Sequence, residues 1–314
     1  MKKFNLLLVL AVFLGGHCFA QPKVKGDAEQ IVASDGQMYM NAEWSPDGTS
    51  FAFSGEKYNG IWISDSRGSQ IRQLTADRGS GFGYQWSADG QTILSRPVVE
   101  EKRLRYHQVK LYDAATGEET VILDKTRSLE GLPVWTDGFQ KVAMKVDGDV
   151  RKGDTGKPFL KGTRSTVEKT VDFGGALTSA SQGVSVDKVV FPQFEGRYVF
   201  NRKPSPDGQK IVFEVSGLGL HVSNADGTGV KHLGFGEHAS WMPDNRYVVV
   251  TKVGDDGYKI TSGELFAVDT RTGDYYPLFT DDNKIALKPS VSPDGTKILF
   301  DNPSEGAIYM IEVE

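Results

Sequence analysis

Short apolar runs, each ended by a polar break, recur along this chain from residue 42 onward. Phe51-Ala52-Phe53, Thr92-Ile93-Leu94, Val142-Ala143-Met144, Ile211-Val212-Phe213, Tyr247-Val248-Val249-Val250 and Ile298-Leu299-Phe300 are the clearest. Runs this short, rich in β-branched and aromatic residues and bounded by turn formers, predict buried strands, and no helical period of any length appears. A second run follows each of most of these, ending in an acidic or amide residue, as in Ile61-Trp62-Ile63-Ser64-Asp65 and Leu265-Phe266-Ala267-Val268-Asp269. A further hairpin then leads to a last apolar segment such as Ile71-Arg72-Gln73-Leu74. The pattern is all strand, about four strands to a unit.

What joins the strands is a repeated turn. Trp44-Ser45-Pro46-Asp47-Gly48 returns as Trp86-Ser87-Ala88-Asp89-Gly90, Trp135-Thr136-Asp137-Gly138, Ser205-Pro206-Asp207-Gly208, Trp241-Met242-Pro243-Asp244-Asn245 and Ser292-Pro293-Asp294-Gly295. Pro presets φ, Asp tolerates the bridge region and bonds nearby backbone, and Gly accepts a left-handed backbone; Asn245 is the residue next best suited to that last position. The six aspartates are spaced 42, 48, 70, 37 and 50 residues apart. Periods of roughly 40–50 residues with four strands each mean radially repeated sheets. The last unit stops after its third strand, Ala307-Ile308-Tyr309-Met310-Ile311, and residues 29–33 ahead of the first unit are the natural donor of its fourth. The expected fold is a six-bladed β-propeller of four-stranded antiparallel blades, closed by an N-terminal strand that completes the last blade and hides two sheet edges.

The Ser-Pro-Asp-Gly turn, the strand after it and the following strand ending in Asp resemble the propeller repeats of the TolB family, over roughly residues 27–314. Similar repeats occur in the propellers of prolyl-oligopeptidase-type peptidases and of oligogalacturonate lyases. TolB carries a small α/β domain ahead of its propeller, whereas these repeats begin directly. The resemblance therefore implies the fold, and a protein or peptide partner in the cell envelope, without implying TolB's own contacts. The alternative it leaves is a carbohydrate-active enzyme of the oligogalacturonate-lyase type, which would bind oligosaccharide in the channel.

Residues 1–20 read as a secretory signal: Lys2 and Lys3, an apolar core from Leu6 to Leu14, and cleavage after Ala20. Periplasmic or other export is expected, with no transmembrane segment, because the apolar run is too short to span a bilayer. A lipoprotein acylated at Cys18 is the less favoured version, since His17 stands where a small residue belongs. Cys18 is the single cysteine, so disulfides and thiolate metal sites are excluded from the mature chain. The net charge of −5, more negative still without the two signal lysines, argues against nucleic acid.

The third unit is irregular. Residues 147–162 are polar and glycine-rich and read as a long loop, 166–171 alternate like a strand, and Lys188-Val189-Val190-Phe191 reads as another; a degenerate seventh blade is the alternative. The segment from Arg96 to Tyr106, with Lys102, Arg103 and Arg105, is the most basic surface loop.

No G-x-S-x-G elbow occurs, so the peptidase reading lacks its nucleophile. His221 and His232 should face each other across a hairpin if Asp226-Gly227 is the turn, but His221 occupies the packing slot of Trp62, Phe266 and Tyr309. Asp147-Gly148-Asp149 and Asp281-Asp282-Asn283 are oxygen-rich turns without a full calcium ligand pattern. No cofactor and no catalytic residue is expected, a divalent metal being the one alternative. The tryptophans beside the turns should fill the wedges between blades. Binding is expected where the innermost strands begin, at the channel mouth opposite the repeated turns. Tyr39, Asn41, Tyr84 and Gln85 belong to the first two units there, and Glu130, Arg202, Glu237, His238 and Lys288 to the others.

Overall fold

The computed structural model describes residues 21–158 and 189–314. Six antiparallel sheets succeed one another as blades. Blade 1 is β2 (Tyr39–Trp44), β3 (Ser50–Gly55), β4 (Ile61–Asp65) and β5 (Arg72–Thr75), in that spatial order. Blade 2 is β6 (Gln85–Trp86), β7 (Thr92–Ser95), β9 (Leu104–Asp113) and β10 (Glu119–Thr126), with β8 (Val98–Glu101) added against β9. Blade 3 shows β11 (Leu129–Thr136), β12 (Lys141–Val146) and β13 (Asp149–Asp154) among the described residues. Blade 4 runs β14 (Val199–Pro204), β15 (Lys210–Val215), β16 (Gly219–Asn224), β17 (Lys231–Gly234). Blade 5 runs β18 (Glu237–Trp241), β19 (Tyr247–Asp255), β20 (Ile260–Asp269), β21 (Tyr275–Phe279). Blade 6 is β22 (Leu287–Val291), β23 (Lys297–Asn302) and β24 (Ala307–Val313), and its outer strand is β1 (Val24–Val32).

The ring closes as the sequence predicts. Residues Val24 and Val32 of β1 pair with Val313 and Ile308 of β24, and the ends are pinned where the Lys23 N–H donates to the Glu314 carbonyl and the Glu314 N–H to that of Lys23. The strand begins five residues earlier than position 29, covering the whole edge of β24.

The repeated turns have the expected chemistry. Ser45 Oγ donates to Asp47 Oδ1 at 2.6 Å, which also receives the Thr49 N–H, while the Gly48 N–H closes on the Ser45 carbonyl. Blades 2, 4 and 6 repeat the serine–aspartate bond with Ser87 and Asp89, Ser205 and Asp207, Ser292 and Asp294. Gly48 and Gly295 have φ near 70°, and Asn245 has φ 57°. The turns also touch around the ring: Asn245 Oδ1 accepts the Asp207 N–H at 2.8 Å, and a Cβ on Gly295 would lie 2.7 Å from Pro243.

Among the described residues, five of the wedges between blades are each filled by one apolar cluster. Trp44, with Phe51 and Phe53, packs on Leu299 and Met310 of blade 6; Trp86 on Ala52 and Ile63 of blade 1; Trp135 on Leu94 and Val109 of blade 2; Trp241 on Val212 and Val222 of blade 4. Fully burying an aromatic of this size contributes roughly 1.5–3 kcal/mol. The tryptophans are core residues, as expected. Two indole N–H groups also bond across the wedge, Trp86 to the Glu43 carbonyl at 3.4 Å and Trp241 to that of Lys203 at 3.0 Å.

Three expectations are corrected. Residues 147–162 do not open as one long loop: Asp147 and Gly148, with φ 55° and 82°, make a two-residue hairpin turn, and β13 follows in register, Val146 opposite Asp149. Asp-Gly is a strong hairpin signal, but β13 is exposed almost throughout and so lacks the apolar pattern of a strand. The basic segment after Arg96 is likewise a hairpin, β8 against β9, turning at Lys102 and Arg103, both left-handed. Residues 189–191 are not a strand, and Phe191 packs on Phe213. The alternation at 166–171 and Lys188 lie outside the described residues. No helix among the described residues is long and apolar enough to cross a membrane.

Candidate functional site: the channel and its mouth

The innermost strand of every blade is broken at one equivalent point. Asn41, Gly83, Gly131, Asn201, His238 and Lys288 all have left-handed φ, between 50° and 68°. Where pairing is continuous on both sides, the register slips there: between Met40 and Glu43, Glu130 and Val134, Phe200 and Lys203, Glu237 and Ser240, Leu287 and Ser290. These are β-bulges, which free backbone N–H groups and re-aim side chains. Left-handed backbone at Asn is mild, but at His238 and Lys288 it is the kind of strain that surrounding structure must hold in place.

Carboxylates of neighbouring blades take up the freed donors. Asp301 accepts the Asn41 N–H at 2.6 Å and the Ala42 N–H at 3.3 Å; Glu214 accepts the His238 N–H at 2.9 Å and Asn201 Nδ2 at 2.8 Å. Both acids are buried. Burial raises Asp301 to about 6 despite the pull of Lys288 and the two N–H donors, and raises Glu214 against the hydrogen bonds from Asn201 and His238.

Two residues beyond the bulges, Glu43 of blade 1 and Lys203 of blade 4 come from opposite sides of the ring. Both line the channel, surrounded by protein yet touching its solvent. Burial raises the Glu43 carboxyl, opposed by Lys203 and Lys288, and lowers the Lys203 ammonium, opposed by Glu43 and Glu214. His238 is pushed down to about 4, by burial first and then by Lys288 and Lys203, so its imidazole is neutral near pH 7. Among the described residues, Glu43, Lys203 and Lys288 form no ion pair with one another or with any other side chain. The channel thus offers a carboxyl group, two lysine side chains and a neutral imidazole on rigid strands, suited to polar and hydrogen-bonded recognition.

The residues expected at the mouth divide into two sets. Asn41, His238 and Lys288 are bulge residues, and Glu237 is the exposed residue before one. Lys288 Nζ reaches the Tyr58 hydroxyl at 3.5 Å. Glu130 is exposed and bonded to Lys145 Nζ at 2.8 Å and to the Gly148 N–H. Arg202 lies over the Phe191 ring and donates to the Val189 carbonyl. Tyr39, Tyr84 and Gln85, in contrast, are buried. Tyr39 packs edge-on against Phe53 and Trp62, with its hydroxyl on Asp35. The Tyr84 hydroxyl lies 2.7 Å from the Asn41 carbonyl and 2.8 Å from that of Ala52, and Gln85 Nε2 donates to the Pro133 carbonyl. Sequence reasoning missed Glu43, Lys203, Glu214 and Asp301. The available signal was a charged residue inside an otherwise apolar strand, as in Phe213-Glu214-Val215 and Phe300-Asp301.

His221 and His232 do oppose each other, with ring centroids 4.9 Å apart. His221 is stacked on Phe213 and its Nδ1 meets the Gly219 carbonyl, a packing role. No cluster of three or more metal-ligating side chains occurs among the described residues. A cleft of about 340 Å³ by Ile63, Asp65, Arg72 and Ala114 lies on the outer flank of blades 1 and 2, away from the channel.

No family model and no curated protein matches the chain. Solved structures do. The propeller domain of Cps50 (Swd1) from Myceliophteria thermophila is 12% identical with a TM-score of 0.56, over 88% of this chain and all (100%) of that one. TolB from Acinetobacter baumannii is 14% identical with a TM-score of 0.45, over 90% of this chain and 67% of its own. An oligogalacturonate lyase from Vibrio parahaemolyticus is 14% identical with a TM-score of 0.46, over 93% and 98%. The likeness is one of fold. A six-bladed propeller is what these residues build, and its function has to be read from its own channel.

Proposed function

We propose that this chain is an exported, non-catalytic binding module that takes a protein or peptide partner of the cell envelope at its channel mouth. The observation that carries this reading is that Glu43, Lys203 and Lys288 form no ion pair among the described residues and sit on strands whose bulges fix their direction. Such groups favour a partner that supplies complementary charges and gives orientation and specificity. The two buried carboxylates that could serve proton transfer, Asp301 and Glu214, are already committed to backbone N–H groups. Export rests on the signal pattern of residues 1–20.

The test is surface plasmon resonance with immobilised residues 21–314 and purified envelope proteins first captured on it. The expected result is saturable binding of one such protein, weakened at least tenfold by Lys288→Asn, which suits a left-handed backbone, and unchanged by Lys125→Gln on the outer surface. Saturable turnover of an oligosaccharide, abolished by Lys288→Asn, would overturn the reading.

A further inference from the structure

A row of four side chains crosses the channel mouth over blades 2, 1 and 6. Tyr58, in the turn between β3 and β4, meets Phe82, in the segment before β6, edge-to-face, with centroids 5.2 Å apart and planes at 78°. Each ring carries a cation. The Arg96 guanidinium lies 5.5 Å from the Phe82 centroid and the Lys288 ammonium 5.3 Å from that of Tyr58. Arg96 is anchored to the bulge ring, donating from Nη1 to the Gly131 carbonyl at 2.8 Å.

The row is held by the fold. Lys57 and Tyr58 are both left-handed, with φ 57° and 60°, a cost of roughly 1–3 kcal/mol each that persists only where surroundings impose it. They do so here: the Gly81 N–H donates to the Tyr58 carbonyl at 2.9 Å, the Gly60 N–H to that of Asp77 at 3.0 Å, and the Gly79 N–H to Asn59 Oδ1 at 3.1 Å. These bonds tie the two loops together. Tyr58, Phe82, Arg96 and Lys288 all keep part of their surface open to solvent. Among the described residues neither cation has a carboxylate within ion-pair distance, although Glu43 and Asp301 feel the charge of Lys288; Glu100 and Glu101 pair with Arg78 and Lys125.

We propose that this row is a peptide site selective for an apolar residue flanked on both sides by acidic ones. The proposal deepens the binding-module reading and rests on it. Two cations at the ends of an aromatic pair attract a negative group on each side, and cation–aromatic contacts keep both heads in place without neutralising them. The rings favour a peptide over a sugar. They stand almost perpendicular, at 78°, and so do not form one flat platform for a pyranose.

The experiment is fluorescence anisotropy on residues 21–314 with a labelled peptide carrying one Leu between Glu-Asp pairs in a Gly-Ser frame. A Gln-Asn version serves as the neutral peptide and trigalacturonate as a competitor. The acidic peptide should saturate, bind at least tenfold tighter than the neutral one and weaken steeply with salt. Arg96→Gln and Tyr58→Asn should each lose at least tenfold, while Lys125→Gln loses nothing. Thermal melts accompany every variant, and Phe82→Leu and Lys288→Asn replace any that fails to fold. Equal binding of the neutral peptide, or full binding by folded Arg96 and Tyr58 variants, overturns the site. If an envelope protein still binds in a Lys288-dependent way while the acidic peptide does not, only this site falls. If trigalacturonate alone binds, and through Arg96, the binding-module reading falls with it.

Discussion

Asp301 in the last blade accepts the backbone N–H of Asn41 in the first, at 2.6 Å and across 260 residues of sequence. Glu214 holds the His238 N–H in the same way between blades 4 and 5. One device, a carboxylate of a second strand capping the bulge of the next inner strand, therefore serves two joints of the ring.

Removing that cap should be costly. Asp301→Ala strands two donors in the wall, and an unsatisfied buried group costs roughly 1–3 kcal/mol. Asp301→Asn, which keeps one acceptor oxygen, should cost less. Urea unfolding of the two variants checks the order; equal and negligible losses would mean water replaces the carboxylate.

The channel should also respond to pH in two opposed ways. Asp301 is raised from 3.8 to about 6, so the folded chain binds its proton first; that contribution is full below 3.8 and disappears as pH rises through about 6. His238 is lowered from 6.5 to about 4, so its contribution is present above 6.5 and is lost as pH falls towards 4. At about 1.4 kcal/mol per pKa unit, each effect has an upper size of about 3 kcal/mol. Relative to wild type, Asp301→Asn should therefore become less stable as pH falls from 6 to 4, and His238→Asn more stable over the same interval. Melting curves across that range decide it.

The closing strand predicts an assembly effect. Without residues 21–32 the outer edge of β24 would lose its partner, and an unpaired edge invites pairing with another chain. The shortened chain should melt lower and elute from gel filtration as dimers or larger species. A monomer with unchanged melting would show that β1 is dispensable.

Two wedge tryptophans should differ. The Trp241 indole N–H is bonded to the Lys203 carbonyl, whereas that of Trp44 is buried with no partner in the described structure. Replacement by Phe removes similar apolar area from both. Trp241→Phe should nevertheless cost more, by roughly 0.5–1.5 kcal/mol, a difference that parallel denaturant titrations resolve.

Much of this architecture was legible because it is written locally. Ser-Pro-Asp-Gly makes its turn from four adjacent residues, the apolar triplets make the second strands, and their count and spacing set the number of blades. The tryptophans were readable as wedge fillers because they recur at one slot. The reading failed at β13, whose exposed strand has no apolar pattern, and at Arg96 to Tyr106, where Lys102 and Arg103 adopt a turn conformation usually left to Gly and Asn.

The site belongs to the other category. Residues as unlike as Asn41, Gly83, His238 and Lys288 share one left-handed position, a property of the innermost strand's place in the ring rather than of any side chain. Tyr39 and Tyr84 look like mouth residues in sequence and are buried, while Glu43 and Lys203 look unremarkable and face each other's charge across the channel. By itself the sequence determined the repeated turns, the apolar strands beside them, the blade count and the closing strand, since each depends on neighbours along the chain or on a simple repeat. Only the closed ring decided which charges meet, which carboxylates are consumed as caps and which cations remain open, because burial and Coulomb energy depend on distance in space and the partners come from different blades.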